Sequence, residues 1–215
     1  MSNPQIIPIE YNSEQITKIV LTNIVKMMSS RGLILPDKLN DKIDKLINTN
    51  SLDNIYSITL DNPIINESDP DFDGSILHIA LIDQKITTLN KAHPMMNFIN
   101  QNKHNQKMLV MKTINEKSKY LLKQNNNTEI FSEVDLMDDL INWLGVPVHI
   151  PLSQKEGESV MNEYLATKSN MSKILDTEPV ACYYNLRPGQ VVKILRSDFT
   201  IFYRITVKNN VLAEN

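Results

Sequence analysis

The sequence predicts an α/β (α+β) protein in two parts. The first is an N-terminal α/β unit with a small mixed sheet and helices, and the second is a small C-terminal α/β unit. Three observations predict this. Segments with helical spacing alternate with short apolar runs of strand length. Two such runs, SILHIALI (residues 75–82) and KMLVMKT (107–113), lie about thirty residues apart with a polar stretch between them, the spacing of a β–α–β unit. Gly145 and Pro147 in NWLGVPV then interrupt the pattern and mark a seam. The expected organisation is residues 1–143, residues 144–207 and a flexible tail at 208–215.

Taken in order, SEQITKIVLTNIVKMMSS places Ile16, Ile19, Val20, Ile24 and Met27 on one helical face. Its start is read at Ser13, with Glu14 and Gln15 behind it, and Gly32 is its stop signal. Leu39, Ile43 and Leu46 repeat every three or four residues and predict a second helix over 36–47. Residues 61–74 are acidic and turn-rich. The two strands of the β–α–β unit follow, with a helix expected between 87 and 105. INEKSKYLLKQ reads as another helix, Asn125 to Asn127 as a loop, and TEIFSEVDLMDDLINWL as a strand running into an acidic helix.

Beyond the seam, Ser153 with Glu156 three residues later is a capping box that opens a helix ending near Tyr164. A short helix is expected at 180–184, and strands at 190–195 and 200–207. The turn NLRPGQ stands between that helix and the first of those strands. Asn185 and Gly189 are read as permissive backbone positions that launch the strand, and not as a phosphate cradle. A left-handed conformation is expected at Asn185.

Composition narrows the function classes. The chain has 215 residues, 41% hydrophobic and 22% charged, in the ordinary globular range, and its net charge of −3 advertises no nucleic-acid binder. Cys182 is the single cysteine, which excludes an internal disulfide and zinc sites of the CxxC type. The first residues lack a basic segment followed by a long apolar one, and no apolar run approaches membrane-spanning length. An intracellular protein with no membrane association is expected. Arg31, Arg187, Arg196 and Arg204 are the only arginines beside many Lys, Asn and Ile, a bias that suits an AT-rich genome.

Catalytic signatures are scarce. DPDFDG places Asp69, Asp71, Asp73 and Gly74 as in the first half of a calcium loop, but the glutamate due at position 80 is Ala80. The aspartates are read as a solvated turn and no metal is assigned. His78 reads as a hydrogen-bonded core histidine, and His149 as a brace at the seam; His93 and His104 stand too far from either for a local ligand pair. There is no GxSxG elbow, Walker A loop, GxGxxG fingerprint or HExxH. No catalytic residue, cofactor or small-molecule substrate is expected. Lys103, Lys107, Lys112, Lys117, Lys119 and Lys123 bias one segment positively and read first as a solvated helix face.

The C-terminal order of residues carries a resemblance. EPVACYYNLRPGQVVKILR, followed by FYRITV, is similar to the C-terminal domain of RNA polymerase subunit 5 of eukaryotes and to its shorter archaeal counterpart. The matching elements are Glu178, Pro179 and Val180, then Arg187 and Gly189, Val191 to Ile194, Arg196, and the closing Tyr203, Arg204 and Ile205. VPVHIPLS upstream resembles the same family's approach to that domain, and SSRGLIL resembles its Arg-Gly turn after the first helix. LHIALI, MLVMKT and EIFSEVDLMDDLINW fall where the eukaryotic N-terminal jaw domain has its strands and last helix.

The resemblance implies a non-catalytic subunit of a multisubunit DNA-directed RNA polymerase. It implies an assembly domain docked on the largest subunit, a lower-jaw domain supporting downstream duplex DNA, and catalysis residing in the large subunits. Glu178, Pro179, Tyr183, Arg187, Gly189, Tyr203 and Arg204 are the candidates for docking or turn geometry. The jaw's Thr-Pro-Ser-Ala motif is replaced here by INEKSK. Lys112, Lys117 and Lys119 are therefore the candidates for an electrostatic, sequence-independent DNA contact. The implied location is the nucleus, or a cytoplasmic viral replication site and the virion if the gene is that of a large DNA virus. Two alternatives stand beside it: a free-standing interaction adaptor or transcription regulator using the same domain, and a metal-dependent enzyme built on Asp69, Asp71 and Asp73.

Overall fold

A computed structural model describes residues 11–209 apart from positions 50, 52, 67, 68, 87–93, 124 and 126. The first helix, α1 (Ser13–Ser30), has the predicted extent, but its cap is Asn12, one residue earlier than read. Asn12 Oδ1 accepts from the Gln15 N–H at 2.8 Å, and Gln15 Oε1 accepts from the Asn12 N–H at 2.9 Å. The buried stripe is wider than predicted, adding Leu21, Val25 and Met28 to Val20, Ile24 and Met27. Gly32 ends the helix at φ +74°, with Leu33 N–H returning to Met28 O and Gly32 N–H to Ser29 O, a Schellman motif. A 3-10 turn at Pro36–Lys38 leads into α2 (Leu39–Ile47).

The first sheet joins β1 (Ile55–Thr59), β2 (Asp73–Ile86), β3 (Asn105–Ile114) and β4 (Thr128–Ser132) in that spatial order. β1 is antiparallel to β2, whereas β2, β3 and β4 run parallel. The parallel strands are connected through α3 (Pro94–Gln101) and α4 (Glu116–Lys123), so the predicted β–α–β unit is present and is followed by a second. α1 packs on one face with Tyr56, Ile58, Leu77, Ile79, Met108 and Val110. Met95, Phe98, Ile99 and Leu122 pack on the other with Leu109, Met111 and Ile130. Burial on both faces explains why the middle of β3, MLVM at 108–111, is continuously apolar and does not alternate.

After β4 the expected acidic helix is replaced by two 3-10 turns, Val134–Leu136 and Leu140–Asn142. The short acidic side chains bond locally here, which competes with a helical ladder. Asp135 accepts from the Ser132 N–H, and Asp139 accepts from Asn142 and from Lys26.

The second sheet has the order β5-β7-β8-β6. Its strands are β5 (Val148–Pro151), β6 (Lys173–Leu175), β7 (Val191–Leu195) and β8 (Ile201–Val207). The predicted capping box opens α5 (Gln154–Glu163): Ser153 Oγ accepts from Glu156 N–H and Glu156 Oε2 from Ser153 N–H. Pro179 is the first residue of α6 (Pro179–Tyr183), where its missing N–H costs nothing. β5 and β6 were not anticipated. β5 is an edge strand, the position at which Pro151 is tolerated within a ladder. At the end of the chain, Asn209 N–H donates to Asp176 Oδ1 at 3.0 Å, while residues 210–215 of the expected tail lie outside the described residues.

Candidate assembly interface

The α/β class is thus as predicted, and the two sheets meet at the ends of two helices. α6 closes as α1 does. Asn185, at φ +50°, takes the place that Gly32 has, with Leu186 N–H to Ala181 O and Asn185 N–H to Cys182 O. The left-handed backbone expected at Asn185 is present, and Asn is the best tolerated side chain there after Gly.

Arg31, the cap residue of α1, fills the space between these two ends. Its Nε donates to Tyr183 O at 2.7 Å and its Nη2 to Cys182 O at 3.1 Å. The same guanidinium forks onto Glu129 of β4, Nη1 to Oε1 at 2.9 Å and Nη2 to Oε2 at 2.7 Å. Both side chains are buried, at 6% and 11% exposure. A planar fork with five donors suits this site, because it pairs with a carboxylate while its other edge serves carbonyls at the end of a helix. Gln106 Nε2 donates to Glu129 Oε1 at 2.8 Å. Tyr183 inserts its ring into the core built by α1 and the first sheet, and its hydroxyl reaches Ser30 Oγ at 3.2 Å. Burial pushes the Tyr183 phenol pKa up.

The other C-terminal candidates divide between scaffold and surface. Glu178 accepts from the Leu175 N–H at 2.9 Å and precedes Pro179 at the start of α6. Gly189 has φ +91°, and its N–H donates to Thr206 O at 2.8 Å, which ties the turn to β8 and occupies the donor a phosphate would need. Arg187 is exposed. Tyr203 is half-buried against Tyr164, ring centroids 5.6 Å apart. Arg204 is half-buried and its charge, after burial, helps hold the His149 pKa down. His149 itself is buried and donates from Nδ1 to Pro147 O at 2.7 Å, within the seam.

Of the candidate DNA-proximal lysines, Lys112 is exposed but ion-paired to Asp83, and Glu133 adds to the field that raises its pKa. Its positive charge is thereby largely cancelled locally. Lys119 is half-buried on α4; the Lys117 side chain lies outside what is described. Lys107 departs from the expectation of a solvated face. It is 1% exposed, and its ammonium donates to Asn102 O, Asn105 O and Lys103 O at 2.9, 3.0 and 3.3 Å. A cation beside the carbonyl end of α3 complements the helix dipole. Burial pushes its pKa down.

The aspartates do not act as one set. Asp69 Oδ2 lies 3.1 Å from His104 Nδ1, and together with Asp71 these groups bring ligand atoms within 4.8 Å of one another. Asp73 instead accepts from Ser75 and opens β2. His78 is half-buried and bonds Ser57 Oγ at 2.9 Å across β1 and β2, as a core histidine would. His93 lies outside the described residues.

The sequence reading missed the role of Arg31 and Glu129. The usable signal was compositional: in a chain that favours lysine so heavily, an arginine set directly before a helix-stopping glycine marks a place where a fork is needed.

Residues 139–206 match the family described as RNA polymerase Rpb5, C-terminal domain. Over 209 residues the chain is 29% identical to DNA-directed RNA polymerase subunit 5 of Acanthamoeba polyphaga mimivirus, covering 95% of this chain and 98% of that one. It is 36% identical over 83 residues to the RPABC1 subunit of DNA-directed RNA polymerases I, II and III of Caenorhabditis elegans, 39% of that relative. It is also 36% identical over 72 residues to DNA-directed RNA polymerase subunit 5-like protein 1 of Arabidopsis thaliana, 34% of that relative. The viral relative matches nearly end to end, whereas the two cellular ones match over little more than a third of their length. The resemblance read from the sequence is borne out.

Proposed function

We propose, from its similarity to the RNA polymerase subunit 5 family, that this chain is a non-catalytic subunit of a multisubunit DNA-directed RNA polymerase. The observation that carries the proposal is the similarity to a polymerase subunit along 95% of the chain, which includes both sheets and not the C-terminal one alone. In this reading residues 144–207 dock on the largest subunit. Residues 1–143 form part of the lower jaw beside downstream duplex DNA, and nucleotide addition belongs to the large subunits. The site of action is wherever that polymerase works, a nucleus or a viral replication site and virion. No described helix is long and apolar enough to cross a membrane.

Two structural features support the mechanical part. The Arg31 junction and the inserted Tyr183 ring fasten the first sheet to α6, so that a body docked through one end holds the other in place. The DNA-facing part rests on Lys119 and Lys117 more than on Lys112, whose charge Asp83 cancels.

A tagged chain expressed in its natural host, then purified at moderate salt, tests the proposal. Stoichiometric elution with the largest polymerase subunit supports it. The adaptor reading has its own support, since the cellular relatives match over only 34% and 37% of this chain. It predicts substoichiometric elution, or none. A salt-sensitive crosslink from the 115–119 region to downstream DNA in the active complex tests the jaw assignment, and an active complex that lacks the crosslink removes it.

A further inference from the structure

β4 is an outer strand of the first sheet, and its ladder with β3 fixes where its backbone groups point. Lys107 N–H donates to Asn127 O and Glu133 N–H donates to Met111 O. In a parallel ladder with that register, Glu129 and Phe131 turn both N–H and C=O toward β3, and Ile130 between them turns both away. Neither group of Ile130 has a partner among the described residues, although the residue is only 4% exposed. Ile130 lines a groove of about 220 Å³ whose opposite wall includes Asp176, Cys182, Leu186 and Arg187. An outer strand with an unpaired N–H and C=O side by side is a template for one more extended segment.

The chain itself brings such a segment to the groove. β8 ends at Val207, and Asn209 is then fastened at the rim: its N–H donates to Asp176 Oδ1 at 3.0 Å and its Nδ2 to Thr177 Oγ1 at 3.1 Å. The sequence continues as NVLAEN, residues 210–215. Four extended residues reach roughly 13 Å, which carries them from Asp176 across a groove that Ile130 also bounds. Val211, Leu212 and Ala213 are apolar, as are Ile130 and Leu186. Glu214 supplies a carboxylate, and Arg187 stands exposed on the wall with no ion pair among the described residues. The family match ends at residue 206, so the segment lies beyond what the chain shares with that domain.

We infer that residues 210–214 dock in this groove as a strap beside β4, with the Val211–Ala213 backbone bonding Ile130 and Glu214 meeting Arg187. The strap closes the open edge of β4 to pairing with other chains. It also adds a second tie between the first sheet and α6, beside the Arg31 junction. The inference goes beyond the polymerase-subunit reading and does not depend on it.

Cys182, the single cysteine, lines the groove and gives a direct test in the full chain. Leu212→Cys, with oxidised glutathione as oxidant, should form an intramolecular disulfide with Cys182. Adding Val211→Asp and Glu214→Lys leaves the tether length unchanged but removes the docking contacts, and should slow that closure by about tenfold or more. Hydrogen exchange read by NMR checks the backbone contact without a new cysteine. The Ile130 amide should exchange about tenfold faster in a chain stopped after Asn209 than in the unaltered chain. Arg187→Glu should speed it likewise, and Arg187→Glu with Glu214→Arg should restore the slow rate. Thermal midpoints establish that these variants are folded. Equal closure rates with and without the tail substitutions, or an Ile130 amide indifferent to loss of the segment, overturns the inference. A disulfide that links two chains and not one overturns it in favour of a segment exchanged between copies.

Discussion

The Arg31 guanidinium and the Glu129 carboxylate, 98 residues apart in sequence, form a buried two-pronged ion pair at 2.9 and 2.7 Å. The pair is not self-contained, because Arg31 also serves Tyr183 O and Cys182 O while Glu129 accepts from Gln106. Each partner is therefore held by groups from other elements, which is the condition under which a buried pair tolerates its desolvation.

Removing one partner leaves the other charge buried. Arg31→Met is expected to destabilise the chain by about 3–5 kcal/mol, and Arg31→Lys by less, since an ammonium keeps the charge but loses the fork. Urea unfolding measures both. Coupling with Tyr183→Phe separates the ring's packing from its hydroxyl, because the Tyr183–Ser30 bond of 3.2 Å alone is worth only about 0.5–1.5 kcal/mol. Equal stability of Arg31→Met and the unaltered chain would show that the junction is ornamental.

The two left-handed positions around α6 differ in what they tolerate. Gly189 has φ +91° with nothing within 4 Å of an added Cβ, so Gly189→Ala meets no atom and its cost is purely backbone, about 1–2 kcal/mol. Asn185 already carries a side chain at φ +50°, so Asn185→Gly should change stability by no more than a few tenths of a kcal/mol, whereas Asn185→Val should cost ~1 kcal/mol or more. Thermal midpoints for the three variants read the order directly. A neutral Gly189→Ala would refute the conformational account of the turn.

Asp61 gives the stability an acid-side dependence. Its carboxylate accepts from the Leu35 N–H and pairs with Lys42 and Lys38, which lowers its pKa from an ordinary 3.8 to about 2. A depressed folded value means that the unfolded chain binds the proton more tightly. The stabilisation is present in full above the ordinary value and is lost as pH falls toward about 2. Asp61→Asn should therefore be less stable than the unaltered chain at pH 6, and the gap should close as the pH falls through that window. Urea midpoints across the range check it, and a gap that does not change with pH contradicts it.

What the sequence disclosed follows from which forces are local. The α1 stripe and the Ser153–Glu156 box depend on neighbours within one or two turns, and both were legible. The run 75–82 and the run 107–113 were legible as strands because each is mostly apolar and of strand length. β5 and β6 are four and three residues long and owe their pairing to β7 and β8, partners that no local pattern names. The acidic stretch after β4 was read as a helix following a strand; local bonds to Asp135 and Asp139 override it. The candidate site was legible as a turn and a strand. That Tyr183 faces inward and Val148 outward depends on the tertiary fold, as does the burial of Lys107.

Lys107 offers the complementary test on the alkaline side. Burial lowers its pKa below the ordinary 10.5, so between the folded and ordinary values the unfolded chain binds more protons than the folded one. The burden of enclosing the ammonium is thus fully present at neutral pH and is relieved as pH rises through the folded value. Lys107→Met removes the titration while filling a similar volume, but takes the ammonium donor from the carbonyls of Asn102, Lys103 and Asn105, of which Asn102 O keeps the Asn105 N–H. The unaltered chain should consequently gain stability relative to Lys107→Met as pH rises from 7.5 toward the ordinary lysine range, whichever of the two is more stable at the start. Urea midpoints of the pair at closely spaced pH values supply the comparison, which cancels the titration of the tyrosines common to both. A difference that stays flat across the range would mean that the ammonium is as well solvated by its three carbonyls as by water.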